Sequence, residues 1–351
     1  MLPSQSSIVH TVNERDMRVL VTGGIGFIGS HLCEALLEKG HTVVAIDNFD
    51  PFYPRRQKDA NLSLLRKRRR FSFIEADVRR CTAVRRVLRR ISIDHVFHLA
   101  GRGGLSPSMA KPFIYLDETL RTTLAVLEAC RGSGVASFVF ASSSSVYGVS
   151  RATRLSEEQI TDQPTALYAA LKKAAELVGH VYHHNYRMTV VNARLFSVYG
   201  PRGRPDQIIS KIVSAIDSGE VIPWYRPEPI RDFTYVADIV DGLVACLSLP
   251  ASTYAVLNLG SGHPHPLSTV VQYAERRLGK RAILVDSGPP PRSDFPRTCA
   301  SVTYAHQLLS WRPTVCLSEG IERFVDWYRG REISSLRTAS AACGSSTVCR
   351  K

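Results

Sequence analysis

The 351-residue sequence has no apolar run long enough to span a bilayer, and Met1–Asp16 lack the charged-then-apolar layout of a secretory signal. A cytoplasmic protein without a membrane partner is expected. Cysteine is unpatterned: eight residues form no CxxC pair and no ligand spacing, so neither a disulfide framework nor a metal site is expected. Cys33, Cys130 and Cys246 fall within helical patterns and read as small core residues. Acidic residues are short of balance, 31 against 45 Lys plus Arg, which leaves a formal charge of +14. The excess gathers in Arg66–Arg70 and in the pairs Arg79–Arg80, Arg85–Arg86 and Arg89–Arg90, without interleaved aromatics or a nucleic-acid motif. A solvated helix face and loop accounts for it better, so no nucleic-acid partner is expected. The field can still draw in an anionic substrate. No internal repeat is visible, and the length suits one or two domains.

What is present is organised around MRVLVTGGIGFIGSHL, Met17–Leu32. An apolar strand, Val19–Val21, stops at Thr22 and Gly23, and helical periodicity begins at Ser30. Gly23 permits the turn, Gly26 lets backbone approach a pyrophosphate, and Gly29 lets helix and strand pack closely. The helix N-terminus then offers unpaired N–H groups to phosphate. A second strand, His41–Ile46, ends in Asp47, eighteen residues after Gly29. A carboxylate there can bond both ribose hydroxyls and would repel a 2′-phosphate, which favours NAD over NADP.

Met1–Asp16 read as a flexible leader, with Met17 an alternative start. A basic helix is expected over Gln57–Arg69, and a strand over Phe71–Glu75 leads to Asp77, placed to reach an adenine edge. A helix around Ala83–Arg90 precedes the strand His95–Leu99, which runs into Ala100. Short apolar strands alternating with helices predict an α/β fold, a doubly wound Rossmann-type parallel sheet. A long helix, Tyr115–Arg131, and a strand, Phe138–Ala141, lead into Ser142, Ser143, Ser144 and Ser145. Hydroxyls at a strand's carboxyl end sit where ligands bind, although a serine-rich turn would look the same. The helix Thr165–Tyr186 carries Tyr168 and Lys172 on one face, so the ammonium can lie beside the phenol and lower its pKa from ~10.

Beyond the strand Val190–Leu195 the texture becomes loop-rich. Helices are expected over Ile208–Ser218 and Val236–Leu247, a strand over Leu257–Leu259, and two short helices ending at Tyr328. The domain division expected is 17–195 for dinucleotide binding, with segments near 232–260 returning to it, and 196–330 mainly for substrate. From 331 the chain is Ser/Ala-rich and reads as a disordered tail.

With these residues placed, the chain resembles the extended short-chain dehydrogenase/reductases that act on nucleotide sugars, in particular the UDP-glucuronate branch of the 4-epimerases. The likeness runs from Met17 to about Tyr328. It is carried by TGGIGFIGSHL, DNFDPFY after Asp47, HLAG at His98, ASSSSVYG at Ala141, YAALK at Tyr168, FSVYGPRGRPD at Phe196, RDFTYVADIV at Arg231 and EGIERFVDWY at Glu319. The resemblance implies C4 epimerisation of a nucleoside-diphosphate sugar by a homodimer, with Tyr168 as base, Lys172 as its partner and ribose ligand, and Ser143 on the sugar 4-oxygen. It places Gly23, Gly26, Phe27, Ile28, Gly29, Asp47, Asn48, Asp77, Val78, Leu99 and Ala100 on NAD. Ser142, Ser144 and Ser197 fall on the substrate side, while Arg204, Arg231 and Arg292 match residues holding the diphosphate.

The departures are local. Gly103, Gly104, Leu105 and Ser106 stand where the branch commonly has Ala-Gly-Val-Arg, so an arginine near the sugar is missing and Arg102 is a new charge. A hairpin that is usually glycine-containing reads Trp224–Pro229, and Ser293 replaces a glycine. Dehydratase and decarboxylase relatives share the C4 oxidation, but place Asp-Glu or Glu where this chain has Ser144 and Ser145. A catalytically silent dinucleotide sensor would not need Ser143, Tyr168 and Lys172 together.

Overall fold

Seven short strands pair in parallel at the centre of the protein, whose computed structural model describes residues 16–343. The first half alternates β1 (Arg18–Thr22), α1 (Phe27–Glu38), β2 (Thr42–Asp47), α2 (Arg55–Leu65), β3 (Phe71–Glu75), α3 (Cys81–Arg90) and β4 (His95–His98). Then come α4 (Leu105–Ala110), α5 (Pro112–Leu116), α6 (Thr122–Cys130), β5 (Ser137–Ser143), α7 (Leu167–Tyr186) and β6 (Thr189–Leu195). The later chain adds β7 (Ser197–Tyr199), α8 (Ile208–Ser218), β8 (Val221–Trp224), β9 (Ile230–Tyr235), α9 (Val236–Ala245) and β10 (Tyr254–Leu259). It closes with β11 (Pro264–Pro266), α10 (Leu267–Leu278), β12 (Ile283–Asp286), α11 (Thr303–Leu309) and α12 (Leu317–Cys343).

The main sheet runs β10-β6-β5-β4-β1-β2-β3, every neighbour parallel. Its strands are nearly continuous apolar runs because helices cover both faces, giving two separate cores, one around Val19, Val21 and Leu32 and one around Leu20, Val96 and Phe138. The chain leaves β1 for β2 and β3 on one side, then returns to β4 on the other. That reversal opens a crevice at the carboxyl ends of β1 and β4.

Several expectations shift. The long helix at 115–131 is interrupted by a π-turn, Asp117–Arg121; the Thr122 hydroxyl bonds Glu118 O and Thr119 O, and the Thr123 hydroxyl bonds Thr119 O, occupying displaced carbonyls. Helix α2 starts right after Pro54 and stops at Leu65, leaving Arg66–Arg70 exposed in a turn. Trp224–Pro229 is no hairpin: β8 pairs in parallel with β12, while β9 lies between β7 and β11. Helix α12 continues past Tyr328, so the tail expected to be disordered is helical as far as Cys343. Ala, Arg and Leu extend a helix readily once packing has nucleated it. The expected leader, apart from Asp16, and residues 344–351 lie outside the described residues. Cys33, Cys130 and Cys246 are buried, and the six described cysteines are free thiols.

Two buried aspartates fasten the later chain to the sheet. Asp232 accepts from the backbone N–H groups of Ser261 (2.7 Å), Gly262 (2.9 Å) and Ala300 (2.8 Å) and from the Ser261 hydroxyl (2.6 Å). Asp238 accepts from Thr314 N (2.9 Å) and Val315 N (3.1 Å) ahead of α12. Hydrogen bonds to a charged group contribute ~1.5–3 kcal/mol each. Asp232→Ala, which strands three backbone donors, is therefore expected to lower unfolding free energy by more than about 3 kcal/mol in urea titrations, with Asp232→Asn intermediate. A loss under about 1 kcal/mol would contradict this account.

Candidate active site

The crevice holds a cleft lined by Gly23, Gly26, Phe27, Ile28, Gly29, Asp47, Asn48, Val78, Leu99 and Ala100, together with Asp50, Phe52, Lys58, Arg102, Glu118, Ala141 and Arg204. The glycine turn is as tight as its spacing implies. A Cβ on Gly29 would stand 2.1 Å from Gly23 O, and one on Gly23, at φ +68°, would stand 2.8 Å from Ala100 N. Helix α1 begins at N-cap Gly26 with no side-chain cap, so its first-turn N–H groups face the cleft unspent. At the end of β2, Asp47 accepts from Phe49 N (2.8 Å) and Lys58 Nζ (3.0 Å) through Oδ1 alone, which leaves Oδ2 for a ribose hydroxyl. The donor set and the bare backbone fit a dinucleotide.

Helix α2, read from sequence as a solvated basic segment, turns a polar face inward. Its Gln57 bonds Arg202 O (2.7 Å) and Gly203 O (3.0 Å), and Asn61 bonds Ile25 O (3.0 Å). Lys58 is thereby a site residue that sequence reasoning missed; an inward lysine at an amphipathic boundary carries no local signal. Glu118, buried in the π-turn, was missed too, and burial raises its pKa. Asp77 departs from expectation. It is absent from the cleft lining, and Arg79 Nε binds both its oxygens at 2.9–3.0 Å.

Next to Ala141, which lines the cleft, β5 delivers the serines and α7 delivers Tyr168 and Lys172, although none of these is among the residues lining it. Strand alternation separates neighbours. Ser142 turns away from the ligand side: its hydroxyl donates to Glu176 Oε1 (2.5 Å), which with Arg194 (2.8 and 2.9 Å) forms a buried ion pair. Ser142, expected on the substrate side, spends its hydroxyl on this buried pair. Ser143 faces the other way. It accepts from Ser145 N (3.2 Å) and Ser145 Oγ (2.9 Å), which leaves its own proton to donate, and it lies within hydrogen-bonding reach of the Tyr168 phenol. Ser144 is buried in the following 3₁₀ turn.

The Tyr168–Lys172 electrostatics also differ from the expected pattern. Lys172 Nζ donates to Ala141 O (2.6 Å) and lies 5.9 Å from the Tyr168 ring centroid. Burial brings the ammonium down to about 7, with Glu176 opposing. Burial also pushes the Tyr168 phenol up, against the Ser143 hydrogen bond and the Arg204 charge. Desolvation outweighs the expected cation effect, and the cation that opposes it is Arg204 rather than Lys172. His98, beneath them and bonded to Thr22 (2.7 Å), is held neutral, its pKa lowered to about 3 by burial.

The remaining residues expected on the substrate side come from the later chain. Ser197 opens β7 and pairs with Phe233 of β9. Arg204 reaches Gly103 and is paired with Asp206 (2.9 Å). Arg231 donates to Asp294 (2.7 Å), Ile230 O and Pro296 O, which ties it to the loop 288–296. Arg292 on that loop is exposed, and neither arginine lines the cofactor cleft. Ser293 Oγ meets Ser106 Oγ at 3.2 Å and its carbonyl accepts from Thr165 (3.0 Å), so the two departures noted in sequence touch each other.

A doubly wound parallel sheet with a glycine turn, an acidic β2 end and a converging Ser–Tyr–Lys set defines a dinucleotide-binding fold equipped for proton transfer. The chain belongs to the NAD dependent epimerase/dehydratase family, whose model matches residues 19–260. It is 35% identical to UDP-glucuronate 4-epimerase 4 of Arabidopsis thaliana, across 92% of this chain and 78% of that protein. It is 34% identical to the probable UDP-glucuronate 4-epimerase of Rhizobium meliloti, across 89% and 97%. Its structure resembles UDP-glucuronic acid 4-epimerase from Bacillus cereus in complex with UDP-glucuronic acid and NAD (TM-score 0.85, 34% identity, 90% of this chain and 100% of that one). It also resembles UDP-glucose 4-epimerase from Thermus thermophilus in complex with NAD (0.80, 31%, 90% and 99%).

The Lys172 environment gives a pH prediction. The unfolded lysine holds its proton to near ~10.4, whereas the buried one releases it near about 7. Between these values the unfolded chain binds more protons, so nucleotide-free protein should gain stability as pH rises from 7 toward 10, the penalty being fully present below 7. Urea titrations at pH 7, 8 and 9 should show this slope weakened in Lys172→Met. Equal slopes in both proteins would refute the assignment.

Proposed function

We propose that this protein is an NAD-dependent epimerase that inverts C4 of a UDP-sugar, interconverting UDP-glucuronate and UDP-galacturonate. The observation that carries the reading is the convergence of Ser143, Tyr168 and Lys172 beside Ala141, a residue that lines the cleft. Gly23, Gly26, Phe27, Ile28 and Gly29 would hold the pyrophosphate, Asp47 and Asn48 a ribose, Val78, Leu99 and Ala100 the flanks, and Lys172 with Tyr168 the second ribose. Bound NAD supplies a reversible hydride acceptor at C4.

Tyr168 takes the 4-hydroxyl proton as the sugar is oxidised and returns it when the 4-keto sugar, having presented its other face, is reduced. Ser143 donates its free proton to the 4-oxygen, held in place by the two bonds from Ser145. Lys172, whose ammonium burial brings down to about 7 and whose Nζ donates to Ala141 O, would hold the second ribose in place beside Tyr168. Arg204 faces this region and supplies positive charge for the diphosphate or the carboxylate. Ser197, Arg231 and Arg292 complete the substrate wall. Residues 17–195 with β10 form the NAD-binding part, and 196–330 mainly the substrate part. The DNFDPFY and GRPD stretches favour the glucuronate branch, and serines at 144 and 145 disfavour elimination or decarboxylation, which use an acid there.

Product NMR over a panel of UDP-sugars tests this reading. UDP-galacturonate should form from UDP-glucuronate without loss of carbon or water. Turnover of UDP-glucose alone would overturn the sugar, and a dehydrated or decarboxylated product would overturn the reaction. Tyr168→Phe keeps the ring and removes the proton acceptor, so turnover should fall by ~10²–10⁴-fold with NAD still bound. Turnover within threefold of the parent would sink the mechanism.

A homodimer is proposed from α5, α6 and α7. They leave Phe113 (79% exposed), Leu124 (46%), Leu177 (56%) and Val181 (52%) at the surface on helices that pack side by side. A second copy related by a two-fold axis would cover such a stripe. Sedimentation should show a dimer at micromolar concentration and a monomer for Leu177→Glu; a monomeric parent would overturn it. Free thiols and a nucleotide-sugar substrate fit a cytoplasmic enzyme. Among the described residues no helix is long and apolar enough to cross a membrane.

A further inference from the structure

The loops after β2 and β4 lie on opposite sides of the cleft, since β1 stands between those strands. Two strand spacings separate their ends by about 10 Å. Arg102, four residues beyond β4, crosses this gap and donates through Nη2 to Asp50 Oδ2 at 2.6 Å. Both side chains line the cleft, and both are largely shielded, at 15% and 17% exposure.

The acceptor is pre-set. Asp50 Oδ1 receives Phe52 N (3.0 Å) and Asp50 N donates to Asn48 Oδ1 (3.0 Å), so the loop's own turns aim Oδ2 across the gap. Phe52 lies beneath the crossing, 5.5 Å from the Arg102 guanidinium and 5.2 Å from that of Arg204, which comes from a third loop. Arg102 also keeps a donor in reserve: its Nε is buried with no partner. A buried, unspent guanidinium donor in a crevice that opens on a helix N-terminus suits a phosphate oxygen.

We propose that Asp50 and Arg102 form a clasp across the mouth of the dinucleotide cleft, Arg102 contributing to diphosphate binding while Asp50 holds it closed, so that the cofactor leaves only when the pair opens. This rests on the reading of the cleft as an NAD site. It assigns Arg102, a charge that departs from the pattern of the resembling family, to cofactor retention rather than to the sugar carboxylate. Slow release suits a reaction that leaves NAD unchanged, because an epimerase has no need to exchange it between turnovers.

The test measures NAD release without substrate. Parent protein, Asp50→Asn, Arg102→Gln and the double variant are loaded with NAD, and its dissociation is followed by fluorescence after dilution into a nucleotide trap. Asp50→Asn preserves shape and the loop hydrogen bonds, so it removes the charge alone; melting curves confirm that each variant is folded. Loss of a shielded charge pair should speed release about tenfold in each single variant. The double variant should be no faster than the quicker single, because opening either side opens the clasp. Release within twofold of the parent in either single, or effects that multiply in the double, would overturn the clasp and leave the epimerase reading intact. A parent that binds no NAD would overturn both.

Discussion

The site depends on how closely helix α1 approaches strand β1. With only 2.1 Å between a Gly29 Cβ position and Gly23 O, no side chain can be accommodated, and the obstacle is backbone that cannot rotate away. This contact seats the uncapped helix N-terminus over the strand end, where its N–H groups converge on the crevice. The sheet order then places that crevice between the loops after β2 and β4, which makes a bridge such as Arg102–Asp50 possible.

Burial, more than pairing, sets the electrostatics around Tyr168 and Lys172. The Lys172 ammonium is brought down to about 7, the Tyr168 phenol is pushed up and His98 is held neutral, each chiefly by desolvation. The positive charge near Tyr168 comes instead from Arg204, on a loop of the later chain. That loop is fixed by Gln57 of α2, while Asp232 and Asp238 fasten the segments around it. The electrostatics around Tyr168, in the first half, are thus set in part by a residue from the second.

Periodicity and punctuation determine much of this by themselves. The apolar runs of β1, β2 and β5, the glycine turn, Asp47 at a strand end and the i,i+4 pair Tyr168–Lys172 follow from local rules, and the structure has each where its pattern places it. Such features are legible because a buried parallel strand and an uncapped helix start are dictated by neighbours a few residues away. Only the tertiary structure decides the rest. Which serine faces the ligand turns on strand alternation and a buried Glu176–Arg194 pair; Asp77 is claimed by Arg79 and Lys58 by Asp47; β8 finds β12 some sixty residues on, and a π-turn interrupts the helix before β5. These outcomes follow from long-range contacts and desolvation, which depend on what each side chain meets after the chain has closed on itself.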